Sequence, residues 1–127
     1  MKKLLLMVLA ALMLSACTQE GETMKKGYMQ ITAQEAKEIM DTKEGYIILD
    51  VREQDEYDAG HIPGAILIPY TKIAEKAEGI LTDKGQLILV YCRSGRRSKI
   101  AAEALVQLGY TNVKEFGGIL DWPYETE

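Results

Sequence analysis

Residues 91–98 read YCRSGRRS: Cys92 is followed at once by Arg93, then by Arg96 and Arg97, with Lys99 just beyond. A cysteine is nucleophilic as its thiolate, the form that neighbouring cations and helix N-termini favour. Gly95 allows the backbone to turn its N–H groups inward as a nest, a second means of holding an anion. No acidic residue occurs between positions 84 and 102, so the field around the loop is expected to be positive although the chain has a formal charge of −4. Such a set suits covalent chemistry, in which a sulfur nucleophile attacks an anionic electrophile held by guanidinium groups. A buried, inert cysteine next to a solvated basic face is the competing reading. Packing alone, however, gives no reason to place guanidinium groups beside a thiol.

Other residue types invite lesser roles. Asp50 and Arg52 stand two apart at the end of an apolar run, so their side chains leave on one side. A carboxylate–guanidinium pair bracing neighbouring loops is the expected outcome. His61 is the only histidine. Histidine suits general-base work near neutrality, but a thiolate formed by its surroundings needs no base, and His61 in GHIPG is expected to brace a loop. Trp122 and Tyr124 are expected in the core or at the mouth of the site. Glu53, Asp55, Glu56 and Asp58 read as a solvated helical turn. No His, Cys and carboxylate spacing suggests a metal ion, and no cofactor is expected.

The loop must be positioned by the elements around it. LILVY (87–91), YIILDV (46–51) and AILI (65–68) are continuous apolar runs of strand length, the pattern of parallel strands covered on both faces. YMQI (28–31) reads as an edge strand and VKEF (113–116) as a last short strand leading to Gly117 and Gly118. Thr32 with Glu35 forms a capping-box signature for a helix over 33–41. A second helical stretch is expected over 70–78. A third, over 96–108, would turn Ile100, Ala101, Ala104, Leu105 and Leu108 inward, with Gly109 ending it. Alternation of this kind predicts an α/β fold with a parallel sheet and helices on both faces. Ligands of open parallel sheets bind beyond the carboxyl ends of the strands, where Cys92 stands.

At 127 residues the chain is one domain, and 47% apolar with 27% charged residues is a globular balance. An acidic chain with a single short basic cluster is not built to bind nucleic acid. The N-terminus is distinct: MKK precedes LLLMVLAALML (4–14), then Ser15, Ala16 and Cys17. Eleven apolar residues fall short of the about 20 that cross a bilayer, and the pattern is that of a secretory signal. LSAC (14–17) resembles the lipobox of bacterial lipoproteins. That resemblance implies a signal peptide at 1–16 and a Cys17 carrying acyl chains such as palmitate, followed by a polar tether to residue 27. It further implies an extracytoplasmic protein anchored by lipid to a bacterial membrane. With Cys17 modified, Cys92 would have no internal disulfide partner.

Across residues 28–124, LDVRE (49–53), EYDAGHIPGAILIP (56–69), YCRSGRRS (91–98), LGYTNV (108–113) and GGILDW (117–122) together resemble the rhodanese homology domain of single-domain sulfurtransferases. The resemblance implies a rhodanese-like domain over 28–127 with a central five-stranded parallel sheet flanked by helices. It also implies that Cys92 carries sulfane sulfur as a persulfide. Arg93, Ser94, Gly95, Arg96 and Arg97 would cradle that persulfide and a small anionic donor such as thiosulfate, and a thiol or cyanide would accept the sulfur. A noncatalytic persulfide carrier or an adaptor at the membrane surface is the alternative. Phosphatases of the Cys-x5-Arg type need an arginine six positions after the nucleophile, and that position is Ser98.

Overall fold

The computed structural model describes residues 23–127, so the expected signal peptide and Cys17 lie outside the described residues. Strand β1 (Thr23–Lys25) leads into β2 (Tyr28–Gln30), helix α1 (Ala33–Thr42), β3 (Ile47–Asp50), α2 (Gln54–Ala59) and β4 (Ile66–Leu67). A 3-10 turn (Tyr70–Lys72) opens α3 (Ile73–Ile80), followed by β5 (Ile88–Cys92), α4 (Arg96–Gln107), β6 (Val113–Gly118) and a 3-10 turn (Ile119–Asp121). The sheet order is β1-β2-β6-β5-β3-β4. β2 to β6 run parallel, and β1 pairs antiparallel with β2.

The five parallel strands β2 to β6 are the expected central sheet; β1 adds a sixth, antiparallel strand, so β2 is not an edge. Part of the stretch read as tether closes a hairpin instead. Lys26 and Gly27 adopt φ of 48° and 91°, left-handed at both central positions as a two-residue hairpin turn requires. Lys25 faces Tyr28 across it. This added strand satisfies the hydrogen-bonding edge that β2 would otherwise expose.

β5 lies at the centre, and all five of its residues are buried. Because side chains alternate across a strand, Ile88, Val90 and Cys92 pack with Leu49, Val51, Ile73, Ala77, Ala101 and Leu105 on the face covered by α3 and α4. Leu89 and Tyr91 face the other way, with Ile48, Phe116, Ile62, Trp122 and Ala36 of α1. Thr32 caps α1 as expected, its Oγ1 accepting from the Glu35 N–H at 3.0 Å while the Glu35 carboxylate accepts from the Thr32 N–H at 2.9 Å. The inner stripe of α4 is offset from the expected one. Ser98, Ala101, Ala102 and Leu105 are buried, whereas Ile100 is 43% exposed. The stripe begins at Ser98 because the helix starts by packing on the loop that precedes it.

Candidate active site

Cys92 ends β5, α4 begins at Arg96, and only three residues join them. Gly95 makes the turn with φ of 114°, a left-handed conformation that side chains resist. The turn aims its N–H at Cys92 Sγ, 3.0 Å away. The sulfur is nearly enclosed, with Cys92 1% exposed. In place of a ring of amides, Sγ has that one amide and a hydroxyl: the thiol lies 3.3 Å from Ser98 Oγ. Ser98 in turn donates to the Glu115 carboxylate at 2.5 Å. Glu115, on β6, is 1% exposed and accepts also from the Gly117 N–H at 2.8 Å and from Gln30 Nε2 at 3.2 Å.

Sequence reasoning missed both Ser98 and Glu115 as site residues. A signal for Glu115 was present. It alternates with Val113 on a strand, so a core-facing valine puts the carboxylate inside too, and a buried carboxylate demands partners.

The arginines divide. Arg97 forms a two-pronged pair with Glu56 of α2, at 2.8 and 2.9 Å. Glu56 is thus no part of a solvated turn. The hydrogen bonds from Arg97 pull its carboxyl down to about 2; burial opposes the shift, while the Glu53 N–H and the charges of Arg97 and Arg52 add to it. Arg97 is raised above its ordinary value, first by its hydrogen bond to Glu56, against burial, and then by the charges of Glu56, Cys92 and Glu53. Arg93, Ser94 and Arg96 are exposed. Arg96 lies 5.9 Å from the Tyr70 ring centre, and the Arg93 carbonyl accepts from the Leu120 N–H at 3.2 Å.

Asp50 and Arg52 are buried and joined at 2.7 Å. Arg52 also donates to the Gly60 carbonyl at 2.7 Å, while the Tyr91 hydroxyl donates to Asp50 at 2.7 Å and accepts from the Ile62 N–H at 3.0 Å. Burial drives that hydroxyl well above its ordinary range. The network joins the loop after β3 to the segment after α2, across the sheet from Cys92. His61 stacks on Tyr57 with ring centres 3.8 Å apart. Its Nδ1 lies 2.9 Å from the Tyr57 carbonyl and its Nε2 3.5 Å from the Glu127 carboxylate. Trp122 and Tyr124 line a cleft of about 270 Å³ with Lys37, Met40, Ile62 and Pro63, on the Tyr91 side of the sheet.

Gly118, opposite Cys92 in the β5–β6 register, completes the loop's surroundings. A Cβ there would lie 2.0 Å from the Arg93 carbonyl oxygen and 2.5 Å from the Ser94 nitrogen. Only glycine permits this approach.

The structure is thus an α/β domain with a cysteine at the carboxyl end of its central parallel strand, beneath a short turn into a helix. The family model described as Rhodanese-like domain matches residues 32–124, and the chain belongs to that family. It is 40% identical over 73 residues to the thiosulfate sulfurtransferase PspE of Escherichia coli, covering 58% of this chain and 70% of that protein. It is 35% identical over 99 residues to the putative sulfur carrier protein YrkF of Bacillus subtilis, covering 77% of this chain but 52% of that one. Among solved structures, a rhodanese with anions from Escherichia coli superimposes with a TM-score of 0.61 at 35% identity, over 65% of this chain and 96% of that one.

Proposed function

We propose that the protein is a sulfurtransferase that moves sulfane sulfur from thiosulfate, or a similar small anion, to a thiophilic acceptor through a Cys92 persulfide. Cys92 Sγ attacks the outer sulfur of thiosulfate, a Cys92 S–S bond forms, and sulfite leaves with the electron pair of the broken S–S bond. Cyanide or a thiol then takes the terminal sulfur and frees Cys92. The observation that carries the reading is the Gly95 N–H aimed at Sγ at 3.0 Å, a donor placed to stabilise negative charge on sulfur. The exposed Arg93 and Arg96 attract the anionic donor; Arg97, held by Glu56, fixes the loop. The name of the PspE relative supports the donor class.

Intact mass tests it. Incubation with thiosulfate should add one sulfur atom that cyanide removes, with no addition in Cys92→Ser. A chain that never gains sulfur from thiosulfate overturns the reading. Loading only from a persulfide-bearing protein would instead favour a carrier, a second reading supported by the YrkF name and by the 1% exposure of Cys92. We also propose, from LSAC alone, that Cys17 is lipidated and holds the protein on the outer side of a bacterial membrane. Cys17→Ser should move the protein from the membrane to the soluble fraction; unchanged membrane attachment would refute lipidation.

A further inference from the structure

Glu115 is a buried carboxylate to which the persulfide chemistry above assigns no task. Its donors are Ser98 O–H at 2.5 Å, Gly117 N–H at 2.8 Å and Gln30 Nε2 at 3.2 Å. An O–H···O contact this short lies at the strong end of hydrogen bonds to a carboxyl oxygen. The Ser98 hydroxyl has three acceptors in reach, Glu115 at 2.5 Å, the Gly95 carbonyl at 3.1 Å and the Gly117 carbonyl at 3.3 Å; giving its one proton to Glu115, the nearest, leaves lone pairs free for the Cys92 S–H at 3.3 Å. Thiol, hydroxyl and carboxylate therefore form a directed chain of donor to acceptor. The need for such a chain is physical. A thiol 1% exposed has no ready contact with bulk water to receive its proton, and two adjacent anions inside a protein strongly disfavour each other.

We infer that Glu115, acting through Ser98, receives the Cys92 thiol proton as the sulfur becomes a nucleophile. The inference rests on the sulfurtransferase reading and specifies how its thiolate arises. The Cys92 S–H bond breaks and its proton passes to Ser98 Oγ, while the Ser98 proton passes to Glu115 Oε2. The electron pair stays on Sγ, where the Gly95 N–H meets it, and attacks the outer sulfur of the donor. One negative charge occupies the Cys92–Ser98–Glu115 cluster before and after the shift, and the proton returns by the reverse path once Cys92 is freed. Ser98 touches the reacting sulfur; Glu115 is a positioning residue that acts through it.

The surrounding groups leave Glu115 as the acceptor. From α4, Arg97 is turned to Glu56 and is near enough for the charge of Cys92 to help raise it, and Lys99 Nζ lies 3.3 Å from the Gly95 carbonyl; both are cations. Behind Arg97, Glu56 is held by that pair. From β2, Gln30 is neutral, and Tyr28 is raised above its ordinary value by burial and then by the charges of Glu115 and Glu103. On β5, Tyr91 and its partner Asp50 lie on the opposite face. The exposed Arg93 and Arg96 flank the mouth.

The test is the rate of Cys92 alkylation by iodoacetamide against pH, in the full chain, with Cys92→Ser subtracting reaction at Cys17. Wild type should show a rate nearly independent of pH through neutrality, because the proton moves within the cluster. Glu115→Gln keeps the shape but cannot take a proton; its rate should fall on the order of 10²-fold at neutral pH and climb in proportion to hydroxide. Ser98→Ala should do the same, and Ser98→Thr, which keeps the hydroxyl, should restore the flat profile. A buried charge with no relay role predicts the opposite sign, since its removal eases thiol ionisation, and a loosened loop likewise speeds alkylation. Equal or faster reaction of Glu115→Gln, or an unaltered profile in Ser98→Ala, overturns the inference. Should Glu115→Gln fail to fold, the two Ser98 variants decide alone. Alkylation requires no sulfur donor: failure to load thiosulfate sulfur with the relay profile intact would sink the functional reading only, and loading with superimposable profiles the relay only.

Discussion

Replacing Gly118 by alanine tests whether the strand beside the loop sets the position of the sulfur. The added Cβ would sit 2.0 Å from the Arg93 carbonyl oxygen, 2.3 Å from its carbon and 2.5 Å from the Ser94 nitrogen, where ordinary contact begins at 3.4 Å. All three obstacles are backbone, so no side chain can swing aside, and β6 and the loop must part by about 1.4 Å. Parting weakens the Leu120 N–H to Arg93 carbonyl bond and draws the loop that carries the Gly95 N–H away from Sγ. A misplacement of this size at a reacting centre lowers turnover on the order of 10²-fold, and forced overpacking destabilises by about 1–3 kcal/mol. Thiosulfate–cyanide turnover and urea unfolding, measured on the same preparation, read the two effects. Wild-type turnover in a folded Gly118→Ala chain would refute the claim that this contact holds the loop in its working geometry.

Glu56→Gln should remove the tie that holds Arg97. A carboxyl lowered from 4.5 to about 2 corresponds to at most about 3 kcal/mol, and screening at this partly exposed pair reduces that to about 1–2 kcal/mol. Because the folded value is the lower one, the stabilisation is complete above about pH 4.5 and fades as pH falls toward 2. Urea midpoints of wild type and Glu56→Gln should therefore differ at neutral pH and converge in acid; a gap that does not change with pH would show that the pair is not its source. Tyr91→Phe strips Asp50 of a donor and the Ile62 N–H of its acceptor, and should cost about 1–3 kcal/mol while leaving persulfide formation on the opposite face intact. Loss of sulfur loading in a folded Tyr91→Phe chain would show that the Asp50 network reaches the sulfur.

What the sequence revealed followed how local each determinant is. The helix over 33–41 could be placed because Thr32 and Glu35 cap it within one turn, and the strand before Cys92 because its apolar run is continuous. The antiparallel strand at 23–25 escaped because it is three residues long with a single apolar side chain, Met24, and its signal is only a two-residue turn, Lys26 and Gly27. The offset stripe of α4 escaped because Ser98 is buried for its hydroxyl, which a hydrophobicity pattern counts as outward-facing. At the site, Cys92 and Gly95 were legible from three adjacent features of one loop. Glu56 and Glu115 were not, since each meets the loop only after the chain has crossed the sheet.

Those two carboxylates change the electrostatics that the local composition suggests. Judged by residues 84–102 alone, the loop is an uncompensated cationic patch. In the folded chain Glu56 pairs with Arg97, and Glu115 places a carboxyl group within one hydroxyl of the sulfur. Guanidinium charge is therefore strongest outside, at the exposed Arg93 and Arg96, and weakest at the floor, where the thiol proton has to leave. On the proposed reading, a site arranged this way would attract an anion at its mouth and form its nucleophile by moving a proton inward. A cysteine held permanently as an anion by surrounding cations would need neither Ser98 nor Glu115, and the burial of both beneath Cys92 is what that simpler design does not explain.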